Sequence, residues 1–110
     1  MTKVELESFP YESKALPELS NLGAYSKFNH VYSASVITDL IEYARYRGVR
    51  IIPEFDTPGH TESWGPGAGD NFLTKCCDKT GQPDGTVGPI DPSIKQNYQL
   101  MMTLLGSVFH

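Results

Sequence analysis

Six side chains able to bond, carry charge or move a proton fall within nine residues of this sequence: Glu54, Asp56, Thr57, His60, Thr61 and Glu62. His60 stands out because it follows Pro58-Gly59, where the backbone turns sharply. A carboxylate bonded to one imidazole nitrogen fixes the tautomer and raises the basicity of the other, and Asp56 is close in sequence. Spacing alone leaves this reading open beside a plainer one, a loop histidine bonded to backbone. Glu54 and Asp56 are two residues apart on an extended segment and so share a face. They read either as site carboxylates or, for Glu54 especially, as a salt-bridged structural group. Trp64 could stack on a sugar or other ring, or pack beneath the loop. A metal set of His60, Asp56 and Glu54 lacks the HExxH or paired-His spacing that would make it specific. His30, between Asn29 and Val31, reads as a residue on the approach to a helix. No GxSxG, phosphate loop or GxGxxG is found.

These residues need an element to hold them. Val49, Ile51, Ile52 and Phe55 form a short run rich in β-branched residues, which predicts a buried strand over 49–55. A strand opening into a polar loop is how parallel α/β proteins build sites at strand C-terminal ends. Before it, 33–47 reads as a helix. Ser33 is a good N-cap, Ile37, Leu40, Ile41 and Ala44 fall at i, i+3, i+4 and i+7, and Gly48 is the stop. Residues 1–8 are a weak candidate for the preceding strand, and 1–30 otherwise read as an irregular cover over an apolar surface. Residues 56–91 read as a site-bearing loop, punctuated by glycines and prolines and anchored by Trp64, Phe72, Leu73, Val87 and Ile90; Phe72 and Leu73 suit one helical turn. Asp91-Pro92 then starts a helix over 92–108, with Ile94, Tyr98, Met101, Met102, Leu105 and Val108 as its apolar face. One strand cannot form a parallel sheet alone, so the pattern implies an α/β fold, part of a larger (β/α)8 barrel holding roughly two of its units.

Composition narrows the classes. The 110 residues suit one small domain, and nine basic against thirteen acidic residues give a net charge of -4. That argues against a nucleic-acid partner, which needs a basic face. No apolar run approaches the roughly 20 residues of a membrane span. MTKVELESFPYES has no apolar signal core, so no secretory signal is expected in it. Cys76 and Cys77 are the only cysteines. Adjacent cysteines do not suit disulfide geometry, and two alone make a poor zinc site.

The longest motif carries a resemblance. RGVRIIPEFDTPGHTESWG, with HVYSASVITDLIEYARY before it and GPIDPS after it, closely resembles the β-N-acetylhexosaminidases of glycoside hydrolase family 20, most of all the animal lysosomal type. SFPYES, LTKC and the last helix extend the likeness over nearly the whole chain. The resemblance implies a (β/α)8 catalytic domain that removes terminal β-linked N-acetylglucosamine or N-acetylgalactosamine from glycans, without cofactor or metal. In that family the substrate's acetamido oxygen attacks the anomeric carbon, an Asp orients the acetamido group, and the adjacent Glu is acid and then base. His60 matches the histidine of the PGH motif, which belongs to a hydrogen-bonded set supporting that Glu. Asp56 matches the aspartate four residues earlier, one step removed from the substrate. Cys76 matches a cysteine whose disulfide partner lies downstream of this chain. Cys77 and Val36 depart from the family pattern.

The family's Asp-Glu pair lies in a GGDE motif on the next strand, beyond His110. Its substrate-binding Arg and HWHxxDD-like segment belong before residue 1, and Met1-Thr2-Lys3-Val4 does not reproduce them. The later tryptophans that wall the sugar pocket are also outside the sequence. None of the 110 residues is assigned to direct substrate contact on this basis. The expectation is a partial glycosidase whose chain is inactive alone; the alternative is a non-catalytic carbohydrate-binding or decoy module. The resemblance also implies a lysosomal or extracellular setting and leaves dimerisation of the parent enzyme open.

Overall fold

A computed structural model describes residues 7–108. The elements in order are α1 (Glu18–Gly23), α2 (Ala34–Arg45), a 3-10 turn (Glu62–Trp64), α3 (Gly65–Ala68), β1 (Leu73–Cys77), β2 (Pro83–Ile90) and α4 (Lys95–Val108). This is a mixed helix and strand fold whose only sheet among the described residues is the antiparallel pair β1–β2. No helix among these residues is long and apolar enough to cross a membrane.

α2 forms where the cap and period place it. Ser33 Oγ accepts from the Val36 amide at 3.3 Å. At the other end Gly48 has φ +70°. Gly48 N–H donates to Arg45 and Val49 N–H to Ala44, the paired bonds that satisfy the last carbonyls of a helix. Of the apolar stripe only Ala44 is buried; Leu40 and Ile41 face outward.

Four expectations are corrected. Residues 49–55 form no strand, and Val49, Ile51 and Ile52 are exposed. A parallel barrel strand exists only when neighbours accept its backbone bonds, and none stands beside it among the described residues. The two βα units expected of a barrel are accordingly not seen. The 56–91 segment is not a plain loop. It holds a hairpin in which Leu73, Lys75 and Cys77 pair with Ile90, Val87 and Pro83, with a register shift between each pair. Leu73 starts β1 instead of joining a helical turn. Its turn uses Gly81 and the irregular start of β2 uses Gly85, both at positive φ, and in each an aspartate bonds the backbone two residues on: Asp78 with Thr80, Asp84 with Thr86. Residues 7–30 are not a mere cover either. Residues 1–6 of the candidate strand lie outside the described residues, while α1 and Phe9 supply core.

The fourth correction concerns α4. It begins at Lys95, because Asp91 Oδ1 accepts from Ser93 N–H at 2.9 Å and Ser93 Oγ at 2.7 Å, closing a turn before the helix starts. Its packed face is Asn97, Leu100, Met101 and Leu104, one turn-spaced row. Tyr98, Met102 and Leu105, expected inside, point out. The phase is set by Asn97, whose side-chain amide donates to the carbonyls of Asn71, Phe72 and Asp91 at 3.2, 3.1 and 2.9 Å.

The core gathers Phe9, Leu19, Trp64, Phe72, Leu73 and Leu104. Around it α1 lies so close to the Ser63–Ala68 segment that a Cβ at Gly23 would strike the Ser63 carbonyl and one at Gly67 the Glu18 carbonyl. Both glycines are therefore required by contact.

Two outcomes follow for stability. Leu104 is fully buried and Met102 is 74% exposed. Leu104→Ala should cost about 2–5 kcal/mol by urea unfolding, and Met102→Ala no more than about 0.5 kcal/mol; similar losses would contradict the phase of α4. The Asp91 carboxyl is held below its ordinary 3.8 by its bonds from Ser93. A depressed carboxylate stabilises the fold above its unfolded value and loses that contribution as pH falls through its folded value. The urea midpoint should therefore drop from about pH 5 towards pH 2, and less steeply in Asp91→Asn.

Candidate functional site

The stretch singled out by its chemistry converges on one depression of about 290 Å³. It is lined by Glu54, Asp56, His60 and Trp64, together with Phe9, Tyr11, Phe55 and the flanking Ser8, Pro10 and Pro53. The polar residues come from the segment after α2, and the aromatic wall comes from both that segment and residues 8–11.

Aromatic rings fix the wall. Phe9 meets Trp64 edge-on at 4.9 Å, Tyr11 meets Phe55 edge-on at 5.5 Å, and Phe55 meets Trp64 at 6.3 Å. Trp64 then stacks on Phe72 at 6.1 Å. Edge-to-face pairs of this kind are favoured by the ring quadrupole. Trp64 is 4% exposed and packed among these rings, so it sits in the core beneath the loop and only borders the depression.

The loop that carries His60 is braced from below. The Pro58 carbonyl accepts from Thr61 Oγ1 and from the Ile90 amide, both at 3.0 Å, tying the loop to the end of β2. The Thr57–Pro58 peptide is cis, and His60 has φ +54°. Positive φ is uncommon outside glycine and more tolerated by His than by most residues. It turns the imidazole out of the chain direction and towards Glu7.

His60 Nδ1 lies 3.3 Å from Glu7 Oε1, while Glu7 Oε2 accepts from the Glu62 amide at 3.0 Å. One carboxylate thereby holds both the ring and the backbone two residues on. Asp56, the partner that sequence proximity favoured, lines the same depression but makes no hydrogen bond among the described residues. Glu54 likewise lines it without an ion pair, so the structural salt bridge is not formed among these residues. Glu7 escaped sequence reasoning because it lies in an irregular segment 55 positions from the amide it accepts from. The only available signal was a carboxylate beside SFPYES.

The arrangement brings an exposed imidazole into ion-pair distance of a carboxylate through Nδ1, and leaves Nε2 free of that carboxylate to accept or relay a proton. No group of three His, Cys, Asp or Glu side chains able to hold a metal forms among the described residues, so the His60, Asp56 and Glu54 set does not assemble as one. Cys76 and Cys77 are free thiols on β1, the first half-buried with Sγ facing Gly88 and the second exposed. His30 lies in a separate depression.

The tautomer is measurable. Imidazole nitrogen shifts of the native chain should report His60 as the Nδ1–H form when neutral. Glu7→Gln, which keeps an accepting oxygen, should preserve that form, and Glu7→Ala should give a mixture. An unchanged tautomer in Glu7→Ala would show that the pair does not set it.

The description "Glycosyl hydrolase family 20, catalytic domain" matches residues 3–110. The chain is 48% identical over 100 residues to beta-hexosaminidase subunit alpha of Bos taurus, covering 91% of this chain and 18% of the relative. It is 51% identical over 105 residues to beta-hexosaminidase subunit beta of Felis catus, covering 96% and 19%. With beta-hexosaminidase A of Caenorhabditis briggsae it shares 46% over 105 residues, covering 96% and 18%. The chain therefore spans about a fifth of the length of the relatives it matches. With the EFDTPGH block at the site and the match running almost end to end, the chain belongs to glycosyl hydrolase family 20 and forms part of its catalytic domain.

Proposed function

We propose that this chain is one part of an enzyme that hydrolyses terminal, non-reducing β-linked N-acetylhexosamine residues of glycans and glycoconjugates. The observation that carries this reading is the His60 loop. An imidazole in ion-pair contact with Glu7, and two carboxylates without a partner among the described residues, face one depression, within a segment that matches the family's catalytic domain.

In this reading the reaction is substrate-assisted and retaining. The acetamido oxygen displaces the leaving group, and the general acid must hold a proton and then act as a base. His60 is a positioning residue for that acid, with Glu7 holding its ring; Asp56 stands one step further from the sugar. The Asp-Glu pair that acts directly belongs to a GGDE segment, and no Asp-Glu dipeptide occurs in these 110 residues. Cys76 pairs with a cysteine outside the chain. No cofactor is called on, and the setting is lysosomal or extracellular.

The aromatic wall of Phe9, Tyr11, Phe55 and Trp64 also suits a second reading, a carbohydrate-binding module without catalysis. A chromogenic N-acetylhexosaminide separates the two. The 110-residue chain should release no N-acetylhexosamine. The same chain continued through a GGDE segment and the rest of the barrel should be active, and His60→Ala there should lower kcat by about 10²-fold, the lower end of general acid–base contributions. Release by the 110-residue chain would overturn the assignment of the direct chemistry to a GGDE segment, and an extended protein that binds sugar but never turns over would overturn the enzymatic reading.

A further inference from the structure

The chain carries three arginines, and all of them fall within six residues at the end of α2: Arg45, Arg47 and Arg50. The lysines are scattered from Lys3 to Lys95. Between 42 and 50, three arginines against the single acid Glu42 leave the stretch two charges positive, on a chain whose total is -4. All three arginines are exposed. So are the two tyrosines among them, Tyr43 by 59% and Tyr46 by 76%.

Rings and guanidiniums lie on one another. The Arg47 guanidinium stands 3.5 Å from the centroid of the Tyr43 ring, and its Nη1 donates to the Tyr43 carbonyl at 3.0 Å. Arg45 lies 4.7 Å above Tyr46 and donates to Glu42 through Nε and Nη2 at 3.2 and 2.9 Å. Tyr43, Tyr46 and Arg47 are three and four positions apart, the spacing that puts side chains on one side of a helix end. The carbonyls of a helix C-terminus favour cations, which accounts for Arg45 and Arg47 but not for Arg50, beyond the Gly48 stop. Arg50 makes no hydrogen bond or ion pair among the described residues. A guanidinium stacked on a ring is already held in one plane, so less rotamer freedom is lost when its remaining N–H groups meet a partner.

This arrangement selects a partner by its chemistry. Arg and Tyr are the residue types that anchor protein–protein contacts, the fork matching a carboxylate and the ring supplying apolar area. The cations lie over separate rings instead of converging on one point, as a single phosphate would need. Recognition of anionic lipid takes clusters of roughly four to eight Lys or Arg, and a duplex binder makes on the order of six to ten phosphate contacts. Three arginines on an acidic chain, one of them already matched by Glu42, fall short of both. They suit a few carboxylates spaced along a polypeptide.

We propose that Tyr43, Tyr46, Arg47 and Arg50 form a docking surface for a segment of another protein rich in Asp and Glu. The inference stands on this surface and does not depend on the glycosidase reading.

The test is fluorescence anisotropy of a labelled oligoglutamate peptide, titrated with the 110-residue chain and with the same chain continued through the rest of the barrel. Both should bind it saturably, and more weakly as salt is raised. Arg50→Gln, which breaks no contact within the described residues, should weaken binding about fivefold or more, and so should Tyr46→Ala. Lys79→Gln removes an exposed cation elsewhere and should leave the affinity unchanged. No binding of the peptide, equal losses in Lys79→Gln and Arg50→Gln, or tighter binding of an oligothymidylate or of phosphatidylserine vesicles would overturn the proposal. So would a peptide bound by the 110-residue chain but not by the extended protein, because the surface would then lie inside the parent.

Discussion

Three carbonyls from two separate places in the chain converge on one side-chain amide, and the fold is arranged around that convergence. Asn97 reaches Asn71, Phe72 and Asp91 from within the packed face of α4. Asp91 N–H meanwhile donates to the Phe72 carbonyl at 2.9 Å, so the entrance to β1 and the exit from β2 are joined twice. A buried carbonyl left without a donor costs about 1–3 kcal/mol. Satisfying several with one residue locks the helix to the hairpin in a single rotation. Leu104, two turns on, then enters the core beside Phe72 and Trp64.

The same rigidity reaches the candidate site by two routes. Trp64 stacks on Phe72 on one side and meets Phe9 and Phe55 on the other, so the ring wall continues the core. The Pro58 carbonyl, taken by both Thr61 and Ile90, links the His60 loop to the strand that Asn97 helps terminate. Positioning chemistry on elements whose own contacts are complete is what allows a proton-handling group to keep its geometry. Here the ring is held by Glu7, which also caps the amide of Glu62.

Much of this was legible in local sequence, and what was not has identifiable causes. α2 was readable because cap, period and glycine stop agree over consecutive residues. The EFDTPGH block was readable because its chemistry is dense and contiguous, and Glu54, Asp56, His60 and Trp64 do share a depression. The strand over 49–55 was misjudged because β-branched hydropathy reports burial between neighbours, and strand pairing needs partners that the described residues do not provide. The hairpin was hidden because register shifts at Lys75 break the alternation that betrays a strand. The face of α4 was misphased because hydropathy sends a polar residue outward, whereas Asn97 is buried by the carbonyls it satisfies. Glu7 was missed because no pattern within its own segment points to a histidine so far along the chain.

The irregular hairpin has a further consequence. A two-stranded sheet leaves outer backbone edges open, and open edges are templates onto which another chain can add. Here β2 carries Pro83 and Pro89, which offer no N–H, and the ladder slips register on both sides of Lys75. Lys75 and Cys77 also face solvent midway along and at the end of β1. A strand arriving from a neighbouring molecule would find an uneven, partly donorless rail with a charge set into it, so the features that obscured the hairpin in the sequence also guard it against fibrillar self-association.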